Sequence, residues 1–585
     1  MPRGDAGFGV LRCDTFGVHH EREPGDHVAP RPSWERTTVV ILLVATSLLR
    51  VFYVFHYRID SDEPQHLHVV WGWAHGLLQY RDVFDNHAPL FHMMCAPLVA
   101  LIGERSDIVF LMRLAMLPLY AVVLWSVYAL GRALYCRSVG LWSAALTALF
   151  PSVFLTALEF RTDDLWVLLW LLALVVLSSE RPTVRRAALA GLLLGMAMSV
   201  SLKTVLLVLA LAAATPGAVV LTHGRWRPLP GGVLARCALA FILGLAIVPA
   251  ILVGVFATRG ALGPLLYGAV IHNTLPGLGE WHAHPLRPVF LVPILPAVWY
   301  GARALVHRAP TAALGFRRAL LFLASGLVFA LLVGVWPIVS PEDFLPVAAV
   351  GPLFLVATVL TRPPPPVTRP ARHALAPRTA LLLLVGAEAL VVLGVGTPWD
   401  GRARAETAFL ADVLRLTRPH EYVMDLKGET IFRPRPFFYV IEAVTKTRLR
   451  QALIADSIPE RLIATRTRVV VPDQKGFPPR ARAFMNANYL SVGSLRVLGR
   501  LLGPPSRTGP TSIPFEVVIP ARYAIVTDGA ACAGSLDGAP YDGPRDLRPG
   551  LHEFHAAAGE GQLALIWASA LQRGFSPFAA ARPCG

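Results

Sequence analysis

Two neighbouring stretches decide how the chain reads: the apolar run Thr37-Thr38-Val39-Val40-Ile41-Leu42-Leu43-Val44-Ala45-Thr46-Ser47-Leu48-Leu49-Arg50-Val51-Phe52-Tyr53-Val54-Phe55 and, one residue on, Tyr57-Arg58-Ile59-Asp60-Ser61-Asp62-Glu63-Pro64-Gln65-His66. The first can cross the hydrocarbon of a bilayer as a helix, which takes about 20 apolar residues because unpaired backbone groups in lipid cost several kcal/mol each. The second sets two adjacent carboxylates, Asp62 and Glu63, at the mouth of that helix. Acids in that position point to chemistry at the membrane surface.

The rest of the chain supports a membrane reading. Its 585 residues are 54% hydrophobic and only 16% charged, with a mean hydropathy of +0.53, whereas a soluble protein carries about a quarter charged residues. We read an all-α polytopic membrane protein with about eleven spans of transmembrane length, near residues 37–55, 109–131, 138–157, 164–179, 187–202, 204–221, 233–257, 287–305, 319–338, 344–360 and 379–396. Residues 1–36 form a polar, disordered leader without the short apolar core and small-residue cleavage site of a signal peptide, so the first span is expected to be retained.

Basic residues favour the cytoplasmic side of short loops. Arg132 and Arg137, then Arg181, Arg185 and Arg186, Arg225, Arg227 and Arg236, Arg303, Arg308, Arg317 and Arg318, and finally Arg362, Arg369, Arg372 and Arg378 fall in alternate loops. The N-terminus is therefore expected inside the cell, and the loop carrying Asp62 and Glu63 outside. An odd number of spans puts residues 397–585 outside as well. This topology accounts for much of the net charge of +16, so nucleic acid is not an expected partner.

The expected organisation is a leader (1–36), a membrane domain (37–396) broken by the proline linker Arg362-Pro363-Pro364-Pro365-Pro366, an extracytoplasmic α/β region (397–500) and a small β-rich module (501–585). In the tail, Tyr422-Val423-Met424-Asp425 and Val469-Val470-Val471-Pro472 read as short buried strands. Six cysteines occur, with no Cys-x-x-Cys pair. Cys532 and Cys584 share the outer tail, either as a disulfide or as two unrelated thiols.

The first outer loop, residues 56–108, is too long and amphipathic for a plain connector. Trp71, Trp73, Leu77 and Leu78 interleave with His66, His68, His75 and Gln79 as in a helix lying in the interface plane, and a second such segment runs from Pro89 to Ile102. Between them Tyr80-Arg81-Asp82-Val83-Phe84-Asp85-Asn86-His87-Ala88-Pro89 makes a polar turn at the depth of a lipid phosphate. The next outer loop holds Glu159-Phe160-Arg161-Thr162-Asp163-Asp164. Carboxylates on successive loops of one side are placed to converge on a cleft.

These features together resemble the GT-C superfamily of integral membrane glycosyltransferases, nearest to the protein O-mannosyltransferases and aminoarabinose transferases. The resemblance rests on the acidic pair after the first span, the His87-Ala88-Pro89-Leu90 step between two juxtamembrane helices, the Gly131-Arg132-Ala133-Leu134-Tyr135 end of the second span, and Arg161-Thr162-Asp163. It implies a sugar donor carried on a polyprenyl phosphate, a cell-envelope acceptor on the outer face of a bacterial inner membrane, and inversion at the anomeric carbon. It further implies that Asp62, or Glu63 beside it, is the general base, with Asp163 as the second catalytic carboxylate. Arg81, His87, Arg161 and Lys203 are the implied contacts to the donor phosphate, since a phosphate leaving group needs positive charge and hydrogen-bond donors. The chain departs from the pattern at His87-Ala88-Pro89, which keeps one proline of two, and at Pro341-Glu342-Asp343-Phe344-Leu345-Pro346, which is acidic where relatives are commonly basic.

Other readings attach to the same residues. Asp62, Glu63 and Asp163 also suit the first turn of a helix, where acids meet the positive end of the dipole or cap it. Lys203 suits snorkelling to the interface. Glu63-x-x-His66 has ligand-like helical spacing, and His66, His68 and His75 could hold a divalent metal with Asp62 or Glu63, yet interfacial histidines more commonly bond headgroups or backbone, so a metal is possible but not expected. For the whole chain the alternative is a transporter or flippase of an envelope lipid, disfavoured because the acids cluster in outer loops and not near span centres.

Overall fold

The structure, a computed structural model, describes residues 33–179, 182–222, 231–275, 284, 286–361, 376–472, 475–505, 509–529, 533–557, 561–579 and 582–583. The leader up to residue 32, the proline linker, Cys532 and Cys584 lie outside the described residues.

The membrane part begins with α1 (Ser33–His56), α2 (Asp62–Ala74), α3 (Leu90–Ile102), α4 (Ile108–Leu134), α5 (Arg137–Leu149), α6 (Pro151–Thr156), α7 (Thr162–Leu177), α8 (Val184–Val200), α9 (Thr204–Leu221) and α10 (Gly231–Thr258). Among the described residues eight helices are long and apolar enough to cross a membrane: α1, α4, α9, α10 and the helices within Arg287–His307, Ala312–Gly334, Pro341–Leu360 and Pro377–Val395. Three of the expected spans fall short of that length. The span expected at 138–157 is split into α5 and α6 at Pro151, whose ring and missing N–H end one helix and start the next. Helices α7 and α8, with 16 and 17 residues, reach about 24–26 Å at 1.5 Å per residue, less than the roughly 30 Å hydrocarbon core.

Lipid tails are as apolar as leucine, so membrane helices associate through close packing and through the polar bonds they can make. Gly191 and Gly195 on α8 meet Gly244 and its neighbours on α10 backbone to backbone. A Cβ on Gly195 would stand 2.5 Å from the Leu245 carbonyl oxygen. Arg50 is buried within α1, donates to the Phe154 carbonyl of α6 at 2.8 Å and lies 3.7 Å over the Tyr120 ring. These contacts tie α1, α4 and α6 together.

In the loop after α1, α2 and α3 take the places of the two expected juxtamembrane segments. Helix α2 does not lie open to headgroups, however: it is buried from Glu63 to Gly72, His66 and His68 included. The C-terminal region covers it. The Ile431 carbonyl lies 2.8 Å from His68 Nδ1, Arg433 pairs with Glu104 at 2.8 Å, and at Gly428 (φ +105°) a Cβ would come 2.9 Å from the His68 Cβ. Only glycine combines that backbone conformation with so close an approach. Helix α3 keeps Met94, Leu98 and Leu101 on an exposed apolar face, as an interfacial helix should.

Strands Val423–Met424 and Val469–Val470 pair in parallel, as expected for a small α/β unit. The boundary expected at residue 500 falls inside one strand, Leu495–Gly503, which pairs with Val469–Val470 and also with Leu563–Trp567. A single eight-stranded sheet thus runs through both expected units, and a second sheet of four strands is built around Thr511–Val517 and Gly550–Ala556. The all-apolar strand Leu563–Trp567 is buried at every position, as a strand covered on both faces of its sheet must be.

Candidate active site

The acidic pair opens α2, and its two members have different surroundings. Glu63 is fully buried and accepts from Arg113 Nε at 2.7 Å, from Arg113 Nη2, and from the backbone N–H groups of Phe160 (2.8 Å) and Asp60 (2.9 Å). Arg113, on α4, also donates to the carbonyls of Val54 and Tyr57 at 3.1 and 3.0 Å. Glu63 therefore fastens α2 to the end of α1, to α4 and to the turn before α7 at one point.

Asp62 faces the opposite way, and its side chain is 24% exposed. One oxygen accepts from Arg161 at 2.9 Å and the other from Lys427 of the C-terminal region at 2.6 Å. Burial acts to raise the Asp62 pKa, but Arg161 and Lys427 outweigh it and hold the carboxyl down at about 2.

Arg161 gathers the site. It immediately precedes α7, and besides Asp62 its guanidinium lies within 2.6 Å of Glu342, 3.2 Å of Asp60 and 3.4 Å of both Glu159 and Asp163. Burial would lower its pKa; Asp163, Asp62 and the other carboxylates raise it instead. Glu159 is pushed up to about 8, first by burial and then by Glu63 and Asp60, and so carries a proton at neutral pH. Asp163 sits in the first turn of α7, its carboxylate turned to the Arg161 guanidinium. Lys203, just before α9, pairs with buried Asp343.

His87 completes the rim. Its Nδ1 lies 3.0 Å from Asp85, which is wholly buried and also accepts from Gln65 and Gln79 at 3.1 and 2.9 Å. Burial acts to lower the His87 pKa, but Asp85 and, more weakly, Asp62 and Asp163 raise it. Behind it His66 and His92 share one hydrogen bond of 3.0 Å, and burial pushes both pKa values down, His92 to about 4.

Of the residues singled out in the sequence, Asp62, Asp163 and Arg161 come together directly, with His87 and Lys203 at the margins and Glu63 behind. Arg81 stands apart: it is exposed and forks onto its own neighbour Asp82 at 2.8 and 3.0 Å. Sequence reasoning missed Arg113, Asp60, Lys427 and Asp85. Arg113 had a signal, a charge inside an apolar run; Lys427, in a polar turn far along the chain, had none.

Residues 86–252 match the family model described as dolichyl-phosphate-mannose-protein mannosyltransferase. Among solved structures, the GT-C fold is matched by ArnT from Cupriavidus metallidurans in the apo state, with a TM-score of 0.52 and 15% identity over 79% of this chain and 98% of that one. The same ArnT bound to undecaprenyl phosphate matches with a TM-score of 0.48 and 16% identity over the same shares, and the apo oligosaccharyltransferase of Archaeoglobus fulgidus with 0.40 and 13%, over 76% of this chain and 70% of that one. No curated protein matches the chain. The resemblance to the GT-C superfamily is thus met at the level of the fold.

Proposed function

We propose that the chain is a glycosyltransferase of a bacterial inner membrane, which moves a sugar from a polyprenyl-phosphate carrier to a cell-envelope acceptor on the outer face, with its C-terminal region also outside. The observation that carries this reading is the meeting of Asp62 and Asp163, from two successive outer loops, on the single guanidinium of Arg161. The GT-C fold and the polyprenyl-phosphate mannose donor in the matched family's description support the substrate class.

In this mechanism an acceptor hydroxyl or amine attacks C1 of the sugar from the face opposite the phosphate. The new bond to C1 forms as the C1–O bond to phosphate breaks, inverting the centre. The acceptor proton goes to Asp62, and the electron pair of the broken bond leaves on the lipid phosphate. Arg161, His87 and Lys203 supply positive charge to that leaving group. Asp163 holds Arg161 in position. Glu63, its oxygens taken by Arg113 and two backbone N–H groups, positions α2 and is not the base.

The test is Asp62→Asn in proteoliposomes supplied with a polyprenyl-phosphate sugar and an envelope extract. General-base assistance is typically worth about 10²- to 10⁴-fold, so transfer should fall by that order while membrane insertion is kept. Wild-type activity in the variant removes Asp62 from the mechanism. Flux of the intact lipid across the bilayer without covalent change would make the protein a transporter.

A further inference from the structure

A carboxylate held at about 2 is a weak base, and both Asp62 oxygens are engaged in the resting site. Something must remove those cations before Asp62 can take a proton. Lys427 is held by fewer contacts than Arg161. Arg161 is gripped by the carboxylates of Asp60, Asp163 and Glu342 and by the Glu159 carboxyl, whereas among the described residues the Lys427 ammonium meets just Asp62 and, at 3.1 Å, the Ser61 hydroxyl. Its backbone is nevertheless well anchored. The Lys427 N–H donates to Glu429 at 2.8 Å, Asp425 accepts from the Gly428 and Thr430 N–H groups at 3.0 Å each, and Arg435 closes on Asp425 at 2.6 Å. A rigid turn thus presents one flexible cation to the reacting carboxylate. The cluster around Arg161 is also rich in negative charge, so an arriving phosphate needs a cation that can be freed.

We propose that Lys427 is a donor-phosphate ligand supplied by the C-terminal region, and that its transfer from Asp62 to the incoming lipid phosphate frees the base. This rests on the glycosyltransferase reading. A lysine suits such an exchange as a compact charge on a flexible stem, free to follow a phosphate. Binding of donor and activation of the base become one event, which guards against loss of the sugar to water before the phosphate is seated.

The exchange makes an unusual prediction, because Asp62 competes with phosphate for Lys427. The probe is undecaprenyl phosphate, titrated into the full-length protein in nanodiscs, so that no transfer is needed. Lys427→Ala should weaken its binding roughly tenfold or more, the scale of a charged hydrogen bond, and Lys427→Arg should restore most of it. Asp62→Asn should tighten binding several-fold, and that gain should shrink in the Asp62→Asn/Lys427→Ala double variant, as coupling of groups in contact requires. In transfer assays Lys427→Ala should raise the donor KM. A Lys427 that only pins the C-terminal region to α2 would leave lipid-phosphate affinity unchanged and lower kcat. Equal affinity in wild type and Lys427→Ala, or weaker binding in Asp62→Asn, overturns the exchange while leaving the proposed reaction standing. If wild type itself fails to bind undecaprenyl phosphate, the reading of the donor falls, and the exchange with it.

Discussion

Glu63 and Arg113 face each other across the junction of α2 and α4 with both side chains wholly withdrawn from solvent, the guanidinium covering both carboxylate oxygens. Next to it, Asp62 keeps an open side. Adjacent acids in the sequence thus divide the work: one holds the helix, the other stays open to a ligand.

Removing one partner of a buried pair strands the other as an unpaired charge, which costs about 3–5 kcal/mol. Glu63→Ala and Arg113→Ala should each destabilise the protein by that order. The double change Glu63→Leu/Arg113→Met should recover much of the loss, because apolar residues of similar volume can replace such a pair. Thermal unfolding in detergent is the measurement, and a double variant no more stable than the singles would contradict the clamp.

His87 should set the alkaline limb of activity. Burial acts to lower its pKa, but Asp85, with lesser help from Asp62 and Asp163, raises it above 6.5. The imidazolium, and its help to the phosphate, is therefore present below that raised value and lost as pH rises through it. Asp85→Asn should move the descending limb of donor kcat/KM towards lower pH. An unmoved limb would take His87 out of the phosphate site.

Glu159 links stability to pH in a predictable direction. Its ordinary pKa is 4.5, and the folded site raises it to about 8. Between those values the folded chain keeps a proton that the unfolded chain has released, so stability declines as pH rises from about 4.5 to about 8. Glu159→Gln cannot ionise and should lose that slope. Melting temperatures of the two proteins should diverge from pH 5 to pH 8 in favour of the variant, and parallel curves would refute the assignment.

Much of this was legible along the chain because it is local. The apolar runs, the acids at Asp62 and Asp163, and Arg161 between them are each visible in short windows. The shortfall in helix length came from Pro151 and from the modest lengths of α7 and α8, which a hydropathy window smooths over. The burial of α2 was not visible, since a helix patterned for an interface looks the same whether it meets headgroups or a protein surface. Lys427 was hidden for the same reason: it lies 365 positions from Asp62 in sequence, and no periodicity encodes that distance. Arg81, singled out with the same loop, pairs with the next residue, Asp82, a contact the sequence leaves as one option among several.

The pairing of Leu495–Gly503 with Leu563–Trp567 has a bearing on biogenesis. Edge hydrogen bonds along Leu495–Gly503 stay open until the ribosome has delivered residues 563–567, so the sheet closes late. Until then that edge offers its unpaired N–H and C=O groups to any other strand it meets, so the later strand to emerge shields the earlier one from mispairing.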